Sequence, residues 1–367
     1  MIRAEKELDK EQPANAATQK NFVKGLLRWN ETGNQRPMPW KGEKNPYKIW
    51  LSEIMLQQTR VEQGVHYYQR FVDAFPTVQH LAHAPEQQVF KLWEGLGYYS
   101  RCKNLIATAQ YITQNLNGVF PNTYEALLNL RGIGPYTAAA IGSFAYNLPY
   151  AVLDGNVFRV LSRIFDIETP IDTTEGKKLF AALAQQLLPK HKACTYNQAI
   201  MDFGATVCKP VPECAHCFFN QQCAAYLHNK QLLLPVKSKQ LQVKERWFHY
   251  VVLQCQNEVA LHQRTGRDIW PNLYEPLLIE APEALPKQIV LLELEKAYGI
   301  TPNGYAVISA AAHATQRLTH QYIHFSFFHL SLKEKMDMPG FDWVAVKEIA
   351  QYPFPKTLQE FMSKNLL

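Results

Sequence analysis

Two carboxylic acids, a Gly-x-Gly turn and four cysteines carry the chemistry that this sequence offers. Glu53 lies between Ser52 and Ile54, and a helical path places Ile49, Trp50, Leu56 and Gln57 beside it. Apolar neighbours desolvate a carboxylate and raise its pKa; holding it half protonated at neutral pH needs a shift of roughly three units, or about 4 kcal/mol. Asp154, in Leu153-Asp154-Gly155-Asn156, precedes a helix that begins near Asn156. Backbone amides at such a position are expected to bond the carboxylate and keep it ionised. One carboxyl pushed up and one held down make an acid and stabiliser pair. The alternative is a solvated Glu53 at a helix edge and a plain N-cap at Asp154.

Leu130-Arg131-Gly132-Ile133-Gly134-Pro135-Tyr136-Thr137-Ala138 reads as a helix, a Gly-x-Gly hairpin and a second helix. Thr123 to Leu130 has apolar residues at helical spacing, Gly132 and Gly134 break it, and Pro135 suits the first position of the next helix. The two glycines allow close approach, and amides at the start of the second helix are unpaired donors suited to a phosphate. An ordinary helical hairpin has the same features. Cys208, Cys214, Cys217 and Cys223 are separated by five, two and five residues. Four thiolates in one compact loop hold either a tetrahedral zinc or a cubane iron-sulfur cluster; a single tight loop, without two distant knuckles, favours the cluster. Cys102, Cys194 and Cys255 are isolated and read as small core hydrophobes.

The surrounding elements are helical up to about residue 228. Asn45-Pro46 opens a helix with the apolar stripe Tyr47, Trp50, Leu51, Ile54 and Met55, and Thr59-Arg60-Val61-Glu62 has capping-box spacing for the next. The polar Gln57-Gln58 corner is then exposed between two anchored helices. Further helical patterns follow a Gly95-Leu96-Gly97-Tyr98-Tyr99 turn, at Leu105 to Leu116, and from Val157 to Phe165. Residues 229–246 carry Pro235 and a run of basic residues and read as a linker. Beyond them the period changes to two. Trp247 to Gln254 and Val259 to Gln263 form an expected hairpin around Asn257, Lys287 to Tyr298 a helix, and Gln321 to Leu332 a strand. In that strand the alternation Ile323, Phe325, Phe327 slips to Phe328, Leu330, Leu332, which suggests a bulge.

At 367 residues the chain accommodates two cores, and its net charge of +6 permits a polyanionic partner without requiring one. Met1 to Lys20 is polar and reads as a frayed terminus, with no apolar stretch of signal length. Seven cysteines without such a signal point to a reducing compartment, the cytoplasm, and away from a disulfide framework.

Together these residues resemble the helix-hairpin-helix DNA glycosylases with an iron-sulfur loop, and within them the MutY-type adenine glycosylases. The similarity runs from Pro39-Trp40 through Trp50 to Arg60, the Gly95 turn, the Gly-Ile-Gly hairpin, Leu153 to Val157, and Asn197-Gln198-Ala199 to Cys223. It implies a mainly α catalytic region over 1–228, a six-helix barrel plus an iron-sulfur-loop domain, followed by an α+β Nudix-like lesion-recognition domain over 247–367. It also implies a [4Fe-4S] cluster on Cys208, Cys214, Cys217 and Cys223, although the family usually has six residues between the first two cysteines. Adenine opposite 8-oxoguanine or guanine in double-stranded DNA would be flipped into a pocket lined by Glu53, Tyr136 and Asn156. Glu53 would protonate adenine N7 while Asp154 stabilises the oxocarbenium-like sugar. On DNA, the Gln57-Gln58 corner, with Gln58 and Tyr98 as wedge, would fill the gap. Gly132 and Gly134 would grip phosphates near Arg60, and Thr319 and His320 would read the lesion. Lys41 stands where the family commonly has arginine. Tyr136 stands where the lyase branch has lysine, which implies a monofunctional hydrolase; a monomer is expected. Lys296 and Ala297 replace the paired glutamates of a Nudix enzyme, Glu293 alone being retained. The alternatives are a bifunctional glycosylase and lyase, or a non-catalytic lesion binder, which would need neither Glu53 nor Asp154.

Overall fold

A computed structural model describes residues 16–59, 61–238 and 242–366. The segment 1–15 and Arg60 lie outside the described residues; 16–20, expected as part of a frayed terminus, are helical. The helices up to residue 228 are α1 Ala16–Thr32, α2 Pro46–Leu56, α3 Val61–Ala74, α4 Val78–His83, α5 Glu86–Trp93, α6 Tyr99–Asn115, α7 Tyr124–Leu128, α8 Pro135–Tyr146, α9 Gly155–Ile164, α10 Thr174–Leu187, α11 Ala193–Thr206 and α12 Ala224–Leu227. Then come β1 Lys244–Cys255, β2 Glu258–Gln263, β3 Tyr274–Glu275, β4 Leu277–Ala281, α13 Lys287–Tyr298, β5 Tyr305–Arg317, β6 Gln321–Leu332, β7 Asp342–Ala345 and α14 Lys356–Asn365. The chain forms two compact units. Among the described residues, 16–80 and 107–238 make one, and 81–106 with 242–366 make the other.

In the first unit the helix ends follow their caps. Asn45 accepts from the Tyr47 amide and Pro46 sits in the first turn of α2; Thr123 caps α7 and Asp154 caps α9. α2 is buried almost all round, from Tyr47 to Met55, which fixes the orientation of its polar members Ser52 and Glu53. An aromatic cluster, Phe22, Trp29, Phe165, Phe203 and Phe219, joins α1, α9 and α11 to the cysteine loop. Gly204 matters for the site. A Cβ there would lie 2.7 Å from the Asn156 Cβ and 3.0 Å from its carbonyl oxygen, so only glycine lets α11 pack onto the start of α9.

The second unit is built on a sheet of order β3-β2-β1-β6-β5, with β4 pairing β1 and β7 pairing β2. β1 and β6 are parallel neighbours at its centre, with Phe248 opposite Phe325 and Val251 opposite Phe328. The bulge expected in β6 is absent. Ile323, Phe325 and Phe327 are buried on one face, where Phe327 stacks on Phe361 of α14, while Phe328, Leu330 and Leu332 join Val290 and Leu294 of α13 in the core on the other. A strand buried on both faces loses the polar alternation, and the slip in hydrophobicity marks two covered faces. The register shifts fall on the partner β5, between Val307 and Ser309 and between Ala310 and Ala312. The expected linker also ends early. Lys244 to Arg246 belong to β1, and Arg246 is buried between Asp268 and Glu280, at 2.7 Å from each.

α5 and the start of α6 belong to this same unit through Glu94, whose carboxylate accepts from the Phe354 amide and from Gln359 Nε2, both at 2.8 Å. On α13, Lys296 donates to Glu293 at 2.9 Å, so the one retained Nudix-type glutamate faces an ammonium where a metal enzyme would have a second carboxylate.

Candidate active site

Glu53, on the second turn of α2, is 6% exposed. The Tyr136 hydroxyl, on the first turn of α8, donates to its Oε2 at 2.7 Å. Burial pushes the Glu53 pKa up to about 7, the Tyr136 hydrogen bond opposes the rise, and the nearby Asp154 charge adds to it. Burial beside two carboxylates holds the Tyr136 phenol well above its usual range, so it stays a donor.

Asp154 accepts from the Val157 amide through Oδ1 and from Asn156 Nδ2 through Oδ2, each at 2.7 Å. The cap is as expected, but the pKa is not. Burial raises it despite the hydrogen bonds, so the pair is not one carboxyl pushed up and one held below its ordinary value. The two carboxyls still differ in their surroundings. Glu53 has one phenolic donor, whereas Asp154 has a backbone amide, the Asn156 side chain and the field of Arg159, so a proton shared between them belongs on Glu53.

Glu53, Tyr136, Asp154 and Asn156 border one cavity of about 600 Å³, together with Gln57 and Gln58. Gln57 Nε2 donates to Thr137 Oγ1 at 3.2 Å. Gln58 is exposed in the left-handed region, φ 58°. The hairpin has Gly132 at φ 76°, and both of its glycines are exposed. Ala138 is the first residue of α8 whose amide bonds within the helix, to the Gly134 carbonyl at 2.9 Å, which leaves the preceding amides as the first-turn donors.

Tyr98 and the Thr319-His320 pair, expected on separate domains, fall in the second unit, where the Tyr98 hydroxyl hydrogen-bonds Thr319 Oγ1. Thr319 and His320 form the exposed two-residue turn between β5 and β6, closed by the Leu318 amide on the Gln321 carbonyl at 2.8 Å.

The four cysteines border one small cavity. Burial raises the thiols of Cys214, Cys217 and Cys223, the last to about 11, and the neighbouring cysteines add to each rise. Four cysteines on one cavity, each opposing the ionisation of the others, fit a tetrathiolate ligand set that a cationic centre would hold ionised. Among the described residues no three are gathered tightly enough to ligate a single metal ion. The shortened stretch after Cys208 is pinned by Arg163, which donates to the Lys209 carbonyl at 2.6 Å and the Pro210 carbonyl at 2.9 Å.

Several site residues were missed in the sequence. Arg159 bonds the Cys208 carbonyl at 2.7 Å and Asn156 Oδ1 at 2.8 Å, joining the cysteine loop to Asp154 through Asn156. Asp202, fully buried, receives Arg36 at 2.9 Å, Lys41 at 3.1 Å, Asn34 at 2.8 Å and Gln198 at 2.9 Å. It thereby anchors the irregular 34–43 segment that walls the cavity, and Lys41 has a definite partner despite not being arginine. The one signal was an acidic residue inside the apolar pattern of α11.

Residues 51–189 match the family described as HhH-GPD superfamily base excision DNA repair protein, and residues 249–364 match the NUDIX domain. The chain is 38% identical over 255 residues to the adenine DNA glycosylase of Buchnera aphidicola subsp. Baizongia pistaciae (strain Bp), covering 69% of this chain and 72% of the relative. To the adenine DNA glycosylase of Homo sapiens it is 39% identical over 214 residues, covering 56% of this chain and 39% of that one. A thermostable thymine-DNA glycosylase superposes with TM-score 0.53 at 27% identity, over 58% of this chain and 98% of that structure. Endonuclease III in a non-covalent DNA complex shares the fold at TM-score 0.50 and 16% identity, over 59% of this chain and 98% of that one. Fold, hairpin and matched sequence define a helix-hairpin-helix base excision repair protein with a Nudix-like C-terminal region. Within that class, the chain belongs to the adenine DNA glycosylase family. No helix among the described residues is long and apolar enough to cross a membrane.

Proposed function

We propose that this protein hydrolyses the N-glycosidic bond of adenine mispaired with 8-oxoguanine or guanine in double-stranded DNA. The observation that carries this is Glu53, buried, raised to about 7 and facing the same cavity as Asp154. A cavity of about 600 Å³ has room for an extruded base and its sugar. Protonated Glu53, held by Tyr136, donates to adenine N7 and weakens the glycosidic bond. The Asp154 carboxylate faces the positive charge that develops on the sugar, and water then takes the place of the base. Gln57 and Gln58 meet the DNA at the rim, Gln58 with Tyr98 fills the space left by the base, the Gly132 and Gly134 hairpin holds phosphate, and Arg60 adds charge. Thr319 and His320, on an exposed turn, present short polar groups to the opposing base. Tyr136 cannot form an imine, so strands stay intact until alkali is added.

The test is adenine release from duplexes carrying A opposite 8-oxoguanine, A opposite G and A opposite T, on the protein and on its Thr319→Ala, His320→Ala double variant. Release from the first two with unbroken strands is expected. The double variant should lose more on the 8-oxoguanine duplex, by about 1 kcal/mol for each hydrogen bond lost. No adenine release, or strand cleavage trapped by borohydride on the native protein, contradicts the reaction. Equal losses on both mispairs contradict the role of the turn.

We further propose that Cys208, Cys214, Cys217 and Cys223 hold a [4Fe-4S] cluster, which when bound would offset part of the thiolate charge and fix their loop. Purified protein should be brown, with iron and sulfide in near-equal amounts. Colourless protein containing one zinc would refute this.

A further inference from the structure

Tyr136 walls two cavities. Its hydroxyl reaches Glu53 in the first, and the residue also borders a second cavity of about 420 Å³ in the same unit, which the excision chemistry does not use. Leu153 lines the second cavity and its neighbour Asp154 the first. The second cavity lies beside the hairpin, with Pro135 of α8 on its wall.

Its lining has a definite chemistry. Tyr124 and Tyr150 stack face to face, with centroids 4.2 Å apart and planes 11° from parallel. Phe158 adds a third ring, and Lys177, exposed on α10, is the one cation of the lining and has no ion-pair partner among the described residues. The walls are preformed. Gln185 holds the 149–151 stretch by donating to the Pro149 carbonyl at 2.8 Å and accepting from the Ala151 amide at 3.1 Å. The fully buried Asn197 donates to the Tyr150 carbonyl at 2.8 Å. Aromatic faces beside an exposed ammonium match a nucleotide, with ring or sugar against tyrosine and phosphate against lysine.

We propose that this cavity is a second DNA subsite, which takes the deoxynucleotide adjacent to the extruded adenine on the same strand. The proposal rests on the excision reading above. A strand with its base in the first cavity and its phosphate at the start of α8 delivers its next nucleotide at Pro135, the edge of the second. Stacking there is indifferent to base identity, as an enzyme acting in any sequence context requires.

Ala181 lines the cavity yet is exposed, so Ala181→Trp fills the space without touching the core, and Lys177→Ala removes the charge from an exposed position. Binding to a duplex with an uncleavable adenine analogue, with 2-aminopurine at each flanking position in turn, is measured at two salt concentrations, alongside single-turnover adenine release at saturating DNA. We expect Ala181→Trp to weaken binding about tenfold and abolish quenching of 2-aminopurine at one flank. Lys177→Ala should lower the slope of log affinity against log salt by about one. Release at saturation should stay within about twofold for both. Normal adenine release with unchanged binding, quenching and salt slope in both variants overturns the subsite alone. Failure of the unmodified protein to release adenine overturns the excision reading, and the subsite with it.

Discussion

Glu53→Gln is expected to lower single-turnover adenine release by about 10²- to 10⁴-fold, the usual worth of a general acid, while binding of the mispaired duplex persists. The amide keeps the size of the side chain, and its oxygen still accepts from the Tyr136 hydroxyl that now lies 2.7 Å from Oε2. What it lacks is a proton to give. Turnover within a few-fold of the unsubstituted protein would remove Glu53 from the chemistry.

Two pH effects accompany this. On the proposed mechanism the acid form is the active one and its pKa is about 7, so release should decline as pH rises through 7 in the native protein, and the residual rate of the variant should not. Stability moves too. The unfolded carboxyl ionises near 4.5 and the folded one near 7, so the folded state binds the extra proton between those values. Native stability therefore falls as pH rises across that window, by about 3 kcal/mol in all, and the loss is complete above 7. Glu53→Gln has no such loss. Denaturant unfolding at pH 4 and pH 8 should show the variant gaining on the native protein only at the higher pH.

Features set by neighbours in the chain were legible in the sequence. Asn45-Pro46 capped α2, Lys287–Tyr298 and Gln321–Leu332 appeared at their observed bounds, and the apolar company of Glu53 was written in residues one turn away. Asp154 shows where this stops. Its cap was readable, because capping is local; its burial was not, because that depends on α11 closing over Asn156 at Gly204. The direction of its pKa followed the second fact. β6 misled in the same way, since a strand with α13 on one face and α14 on the other has no polar face to give a period.

Long-range polar contacts were invisible for a related reason. Asp202 meets Arg36 across 166 positions of sequence, and a lone acid within apolar residues looks the same whether it is solvated or surrounded by donors. Residues 81–106 read as one more helical stretch, yet Glu94 binds them to Phe354 and Gln359, more than 250 positions away. Tyr98 and Thr319 meet for that reason, and no pattern along the chain carries that information.

Asp154→Asn should lower adenine release by on the order of 10²- to 10³-fold, a loss comparable to removing a group aimed at transition-state charge. The fold should survive. Asparagine caps a helix about as well as aspartate, and its oxygen can still accept from the Val157 amide at the present 2.7 Å. The cost is at Oδ2, where an amide nitrogen would face the Asn156 nitrogen that now donates to it, and where no negative charge would remain for the sugar. The decisive readout is the pH profile. The Asp154 charge helps to raise the pKa of Glu53, so its removal lowers that pKa. Below its pKa Glu53 still carries the proton, so the residual rate of the variant should begin to decline at lower pH than the native rate does. A profile displaced to higher pH would mean that Asp154 does not share the field of Glu53, a rate left unchanged that it does not face the sugar, and the two together would leave its carboxylate as the cap of α9 and nothing more.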